Sequence, residues 1–526
     1  MSIFSKSTES QSKIMSSDVN NPTELPDDQD DTIVTTKRKI PKQSIRSIVV
    51  FAIVIGGIIT FIFLGVIFRP QTNSTISGGI ILPAVVEYAG IKNISGKRFT
   101  GIEATRTYKN NELIEEVKRV LLANGLPADI FKLNVPSDKN IAVLLKREFK
   151  IYHDNHGEFE QLRKEPVFVN GTVNSNVLLQ TEEVFARANP KRLLMRQMLD
   201  DDEQVAYSFE MVTIEGIGET PDISSAGYLD DYVLLEEYAA AYAVRDGKIR
   251  DAIISIAYVF RLAQLAAEVP SLPVRFIAAE IRLKALDMIQ NVVFAKTFSE
   301  EDLRELYLIL LEQLDTWSAE ANTFAGYRAS GMKTFNLILS LGIEYAFEKS
   351  ELEELLKRDK DRFEYRINQN WAWDQSFFLQ SMQKIIGVCK LPYFERKDVL
   401  DEIAKKLNAQ YDTPDELITS YFLLREVPRY MQFYALERTK CEIAALAMAH
   451  SLKDSTGVAD LAKQTIEDFK QEPMTGKPYF IKQIVNESNP KIDIVWGSYF
   501  TNIKPFKVPD YSKKENKENK EDKEKE

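Results

Sequence analysis

The chain has 526 residues, 44% hydrophobic and 28% charged, with a formal net charge of -11. That length leaves room for about three domains. The acidic balance excludes a nucleic-acid binder that relies on a basic face to displace counterions. Two cysteines and three histidines exclude a disulfide framework and a Cys-rich zinc site.

Residues 1–47 open with Ser, Asp, Thr and Asn and hold an acidic knot at Glu24, Asp27, Asp28, Asp30 and Asp31. So few apolar groups cannot repay the entropy of ordering, so the segment reads as a disordered tail. An uncharged apolar run follows, Ile48 to Phe68. About 21 residues at 1.5 Å each span roughly 31 Å, a bilayer's hydrocarbon core. Lys37, Arg38, Lys39, Lys42 and Arg46 crowd its N-terminal edge. The positive-inside rule then places the N-terminus in the cytoplasm, with 48–68 as an uncleaved signal-anchor. The reading is a single-pass membrane protein, its bulk periplasmic or otherwise extracytoplasmic, with the lipid bilayer as one partner. Ala52, Gly56 and Thr60, four apart, form a small-residue face through which two such helices can pack into a homo-oligomer.

Residues 69–108 read as a stalk with short strand-like runs, and 109–222 as a small mixed α+β region. Within it, Leu113 to Leu121 follow a helical period stopped by Gly125 and Pro127, and a second helix covers Ile141 to His153. Asn170-Gly171 marks a turn, and a further helix lies around Pro190–Leu199. Asn73, Asn93, Asn170 and Asn486 open N-x-S/T triplets.

Residues 223–472 carry the strongest helical signals. Leu229–Val244 ends at Asp246-Gly247, and Ile249–Val269 ends at Pro270. Pro273 sits near the start of the next helix, and Ser299 with Asp302 has the spacing of a capping box. Further helices follow from Ala319, around Trp373–Lys390, over Val399–Leu407 and over Tyr430–Leu452. Links this short make successive helices antiparallel neighbours, hence a bundle or an α-solenoid. In 473–510, Tyr479–Val485 and Ile492–Val495 flank a turn and read as a β-hairpin; 511–526 is a disordered Lys/Glu tail. The fold class is therefore mainly α. A single transmembrane helix leads through a small α+β part to a helical bundle or solenoid-like domain, with a β-hairpin at the end.

The stretch from Ala243 to Ile289, with the later Gly326, Arg328 and Ala329, resembles a family of uncharacterised membrane-anchored helical proteins of planctomycete-type bacteria. Asp246-Gly247 with Ala252 is similar to the inter-helix turn of a tetratricopeptide unit, without a sustained repeat. Towards the C-terminus, Pro473, Gly476 and Pro478 are similar in spacing to a turn in the globular ends of type II secretion pseudopilins. That likeness implies a helix leading into a short sheet. Calcium, which such ends often bind, is not implied, since Gly497 is followed by Ser498, Tyr499 and Phe500 rather than acids.

Reaction motifs are missing: no H-E-x-x-H, C-x-x-C, G-x-S-x-G or phosphate loop occurs, and Gly216-Ile217-Gly218 reads as a turn. No cofactor is expected. His153 and His156 are spaced to share a helix face, at what reads as a fraying end. Adjacent carboxylates (Asp230 with Asp231, Glu236 with Glu237, Asp200 to Asp202) read as solvated helix faces. Glu280, in an apolar run, has Lys284 as an i,i+4 partner. Trp371 and Trp373 have two readings, a ligand groove stacking on a sugar or anchors in a core. Cys389 and Cys441 likewise read as a disulfide or as two small core residues. The leading expectation is a membrane-anchored helical scaffold or protein-interaction module with an unknown partner. An envelope carbohydrate-active hydrolase near the tryptophans and a component of a secretion or pilus-like assembly are the alternatives.

Overall fold

The computed structural model describes residues 119, 122, 135–154, 156–200, 210–214, 218–222, 226–341, 360–411, 413–485, 492–497 and 506–511, and they are mainly helical. Among them, α1 (Ile141–Asp154) and α2 (His156–Lys164) lead to a minimal hairpin, β1 (Phe168–Val169) and β2 (Thr172–Val173). Asn170 and Gly171 link the strands with φ of 50° and 77°. Positive φ at both central residues is what a two-residue hairpin turn requires, and Asn-Gly supplies it cheaply. Then come α3 (Ser175–Leu199) and the β3/β4 pair (Glu210–Ile214 and Gly218–Asp222). The helix starts fifteen residues before the expected Pro190, because Asn174 caps it by accepting from the Val177 N–H at 3.4 Å.

Four helices follow in close succession: α4 (Ala226–Arg245), α5 (Ile249–Ala267), α6 (Leu272–Val292) and α7 (Glu300–Asp315). The α4–α5 link closes by a Schellman pattern. Lys248 N donates to Ala243 O at 2.8 Å and Gly247 N to Val244 O at 3.2 Å, with Gly247 at φ 72°. Pro273 lies in the first turn of α6. Both arms of the Ser299/Asp302 capping box form: Ser299 N donates to Asp302 Oδ2 at 2.8 Å, and Asp302 N to Ser299 Oγ at 3.2 Å. Next are α8 (Glu320–Leu341), α9 (Lys360–Val388), α10 (Tyr393–Gln410), the short α11 (Ile418–Leu424), α12 (Val427–Leu452) and α13 (Ala459–Asp468). Arg396 ties the α9–α10 break by donating to Leu391 O at 2.6 Å and Cys389 O at 2.8 Å. Those are carbonyls that a helix end leaves without an intrahelical partner.

In the core, α5 packs between α4 and α6, and α12 packs against α6, α7 and α13. The run Ile443–Ala449 on α12 is buried throughout, its small side chains permitting close approach. On α8, a Cβ at Gly326 would lie 1.7 Å from Pro270 O, and one at Gly331 2.2 Å from the Phe378 ring. Neither position accepts a side chain without movement of its neighbours.

The expected C-terminal hairpin forms from β5 (Phe480–Val485) and β6 (Ile492–Gly497), and β7 (Phe506–Pro509) adds a third antiparallel strand. Gln290 on α6 meets β7 with its side-chain amide, accepting from Lys507 N at 2.8 Å and donating to Lys507 O at 2.7 Å. Ser451 on α12 donates to Pro509 O at 2.6 Å and accepts from Tyr511 N at 3.1 Å.

The single-pass membrane reading is corrected. Among the described residues no helix is long and apolar enough to cross a membrane. Even the apolar α5 carries Arg250, Asp251 and Arg261, and α12 carries Glu437, Arg438, Lys440 and Glu442. The expected anchor at 48–68, with its Ala52, Gly56 and Thr60 face, lies outside the described residues. The anchor, the N-in topology and the extracytoplasmic placement are therefore set aside.

Candidate functional site

Arg275 and Arg282 lie seven residues apart on α6, two turns, and so share one face. Both are fully buried, and both reach Glu437 of α12, itself fully buried. Arg275 Nη2 donates to Glu437 Oε2 at 2.6 Å and Arg282 Nη1 donates to Oε1. Arg282 Nη2 also donates to Gln264 Oε1 at 3.1 Å, and Gln264 Nε2 donates to Thr316 O at 2.6 Å. Trp317 stands among three guanidinium groups: the centres of Arg282, Arg438 and Arg275 lie 4.5, 4.8 and 5.9 Å from its ring. Arg275 lies 4.4 Å over Tyr434. Among the described residues, Nε and Nη1 of Arg275 and Nε of Arg282 have no hydrogen-bond partner. The ring faces give these groups an electrostatic partner instead. Burial pushes the Tyr434 hydroxyl far up. Burial also opposes the charge on Arg275, but Glu437, with Tyr434 and Glu320, outweighs it and holds that guanidinium above its ordinary value. Beside this cluster, Arg438 Nε donates to Glu442 Oε1 at 2.7 Å, and Tyr479 Oη donates to Oε2 at 2.7 Å. The unpartnered nitrogens are shut off from solvent, and the ion pairs fasten α6 to α12.

The carboxylates of α4 correct the solvated-face reading, because Asp230, Asp231 and Glu236 are buried. Their partners are distant in sequence. Glu236 accepts from Arg192 Nη1 at 3.0 Å and Arg196 Nε at 2.8 Å, both on α3. Arg196 also donates to Ser255 Oγ at 2.8 Å and stacks 4.6 Å from the Tyr258 ring. Asp231 accepts from Arg163 of α2, and Asp230 accepts from Arg163 at 3.5 Å and from Lys284. Burial works against the Asp230 charge, but Lys284 and Arg163 prevail and lower its pKa. Thus Lys284, expected to serve Glu280, reaches across to α4. Glu280 Oε2 is buried without a hydrogen-bond partner among the described residues. Burial, reinforced by Asp230 and opposed by Lys284, pushes the Glu280 carboxyl up to about 9. Glu237 is also raised, chiefly by burial.

Trp371 and Trp373 do not share a groove. Residues two apart on a helix point about 200° apart. Trp371 is 6% exposed, its Nε1 donates to Phe335 O at 3.2 Å, and its ring meets Phe335 edge-on at 6.3 Å. Trp373 is 56% exposed. The adjacent acid, Asp374, is buried and caps α11 from another helix. It accepts from Thr419 N at 2.8 Å and Ser420 N at 2.9 Å, while Ser420 Oγ donates to Asp374 O at 2.8 Å. Burial pushes the Asp374 carboxyl up to about 6 against those hydrogen bonds. Asn370, one turn earlier, donates to Pro414 O at 2.7 Å. Asn370 and Asp374 together grip 414–420. Tyr411, 40% exposed, lies 5.3 Å from the Tyr421 ring, and Arg425 lies 4.6 Å over Phe422.

Cys389 and Cys441 are both free and buried, so the disulfide reading is corrected. Cys389 Sγ donates to Ile385 O at 3.2 Å. Burial raises both thiols, that of Cys441 to about 12. The side chains of His153 and His156 lie outside the description, and among the described residues no group of three or more His, Cys, Asp or Glu is arranged to hold a metal ion. Gly326 serves close packing, as described, beside the buried Arg328 and Ala329. In the Pro473–Pro478 loop, Gly476 has φ 69° and donates to Glu472 O at 2.8 Å, and Phe394 N donates to Pro473 O at 3.3 Å.

Sequence reasoning missed the Arg275/Arg282/Glu437 cluster. Its signal was present: two arginines two turns apart in an apolar helix, and a glutamate in an Ala-rich one. A scan against protein-family models, a search of curated proteins and a search of solved structures return no match for this chain.

Proposed function

We propose that this chain is a helical scaffold of bundle or solenoid-like form, acting as a protein-interaction module rather than as a catalyst. One observation carries this reading: the buried carboxylates Asp230, Glu236 and Glu437 are spent on holding helices to one another, while Trp373 is left on the outer face of α9. Exposed tryptophan is costly to leave in water, and aromatic side chains are enriched where partners bind. Tyr411 adds a second exposed aromatic where α10 ends. The hydrolase alternative has less support, since Trp371 and Trp373 face apart and Asp374 is committed to capping α11. A secretion or pilus-like assembly draws support only from the Pro473–Pro478 loop and the sheet behind it.

A photo-crosslinking amino acid at position 373, with one at Leu193 as a surface control, tests the reading. The expected result is one defined adduct from 373 that untagged protein competes away and that position 193 does not give. Equal or absent adducts from the two positions would remove the proposal, and the identity of the adduct separates an assembly component from another partner.

A further inference from the structure

The β1–β2 hairpin carries a chemical possibility independent of the interaction surface. Asn170 is exposed at its tip, followed by Gly171, whose missing side chain leaves the backbone nitrogen unhindered. The ladder holding the tip has only two pairs, Phe168↔Val173 and Val169↔Thr172, and the Gly171 N–H lies outside both. A ladder that short opens locally at little cost, which lets Asn170 and Gly171 leave their positive-φ turn. We propose that Asn170 is a site of spontaneous covalent modification, deamidating through a succinimide with Gly171.

The Gly171 backbone nitrogen, losing its proton, attacks Asn170 Cγ. A new N–Cγ bond forms, the bond from Cγ to the side-chain nitrogen breaks, and ammonia leaves with the proton. Water then opens the ring. Attack at Cγ gives aspartate; attack at the main-chain carbonyl gives isoaspartate, whose backbone is one methylene longer. No electron is gained or lost. Aspartate tolerates the left-handed turn, so that product keeps the hairpin and adds one negative charge. Isoaspartate breaks the two-residue register between Val169 and Thr172. The tip abuts the link that follows α6, since a Cβ on Gly171 would lie 3.9 Å from Phe294. The longer product therefore loosens the tip from this neighbour.

Two nearby asparagines serve as internal controls. Asn174 caps α3 with its side-chain oxygen engaged by the Val177 N–H, and Asn176 lies in the first helical turn. All three fall on one tryptic peptide, 165–187, where fragment ions distinguish them. Intact full-length chain, aged in mildly alkaline buffer and digested afterwards, is expected to convert Asn170 about tenfold faster than Asn174 or Asn176, the difference reflecting the unhindered Gly171 nitrogen together with local opening of the short ladder. Asn170→Gly keeps a turn that allows positive φ and is expected to abolish the fast-forming acidic species of this peptide, leaving only the slow conversion at Asn174 and Asn176. Conversion at equal rates, or conversion of Asn170 only after denaturant unfolds the chain, would overturn the proposal.

Discussion

Glu437 and Asp230 are both buried carboxylates, and each is held by two cations from other helices. Their surroundings differ. Around Glu437 both arginines are fully buried and faced by Trp317 and Tyr434. Around Asp230 the cations reach solvent, with the Lys284 side chain 36% exposed, and Glu280 and Glu237 crowd in as further acids. A dry, enclosed group cannot trade its partner for water, so it fixes one helix arrangement. The wetter, acid-rich group relieves repulsion by leaving one carboxyl protonated. A carboxylate between two cations thus gives a lock in one place and a titrating joint in the other.

The largest expected effect breaks the lock. Glu437→Gln leaves two buried guanidinium groups without a counter-charge and is expected to cost about 3–5 kcal/mol in denaturant melts. Replacing Arg275, Arg282 and Glu437 together by apolar residues is expected to be neutral or stabilising by about 1–4 kcal/mol. A loss from the triple variant as large as from the single one would show that packing, not charge, dominates there. Gly326→Ala tests the seat of the same lock, because Pro270 lies just ahead of α6. Its methyl meets a backbone oxygen, so about 1–3 kcal/mol or more should be lost.

At the joint, the folded Glu280 carboxyl keeps its proton up to about pH 9, while an unperturbed one releases it near 4.5. Between those values the unfolded chain binds fewer protons, so this group lowers stability as pH rises and stops doing so above about 9. Glu280→Gln should flatten that slope and stabilise the protein by roughly 1–3 kcal/mol on the alkaline side, read from melts across pH. An unchanged slope would put the titration elsewhere. The smallest effect concerns a third kind of buried carboxylate, Asp374, whose partners are backbone N–H groups. Asp374→Ala should cost about 0.5–2 kcal/mol, as for other helix caps. Hydrogen exchange at Thr419 and Ser420 should quicken if the loss is local.

What was legible in the sequence was whatever is encoded by near neighbours. The Ser299/Asp302 box, Gly247 at its positive φ, the Asn170-Gly171 turn and Pro273 in a first turn all form as read, because their geometry is settled within a few residues. The site-level contacts were not legible for the opposite reason. Arg192 and Arg196 meet Glu236 across 44 and 40 residues, and Arg275 meets Glu437 across 162, so charges that looked solvated are buried by partners no local window contains. Strand β7 escaped because four residues ending in proline offer no alternation long enough to read. Trp371 and Trp373 misled as a pair since proximity in sequence becomes divergence on a helix.

Gln290 has a consequence for self-association. A sheet edge offers alternating donors and acceptors, and another chain can template on them. At Lys507 both the donor and the acceptor are already occupied by one glutamine amide, which imitates the peptide group of an absent neighbouring strand. Growth of the sheet past β7 would first have to displace that amide. Side chains projecting from two helices, Gln290 at Lys507 and Ser451 at Pro509, thus hinder strand addition along β7.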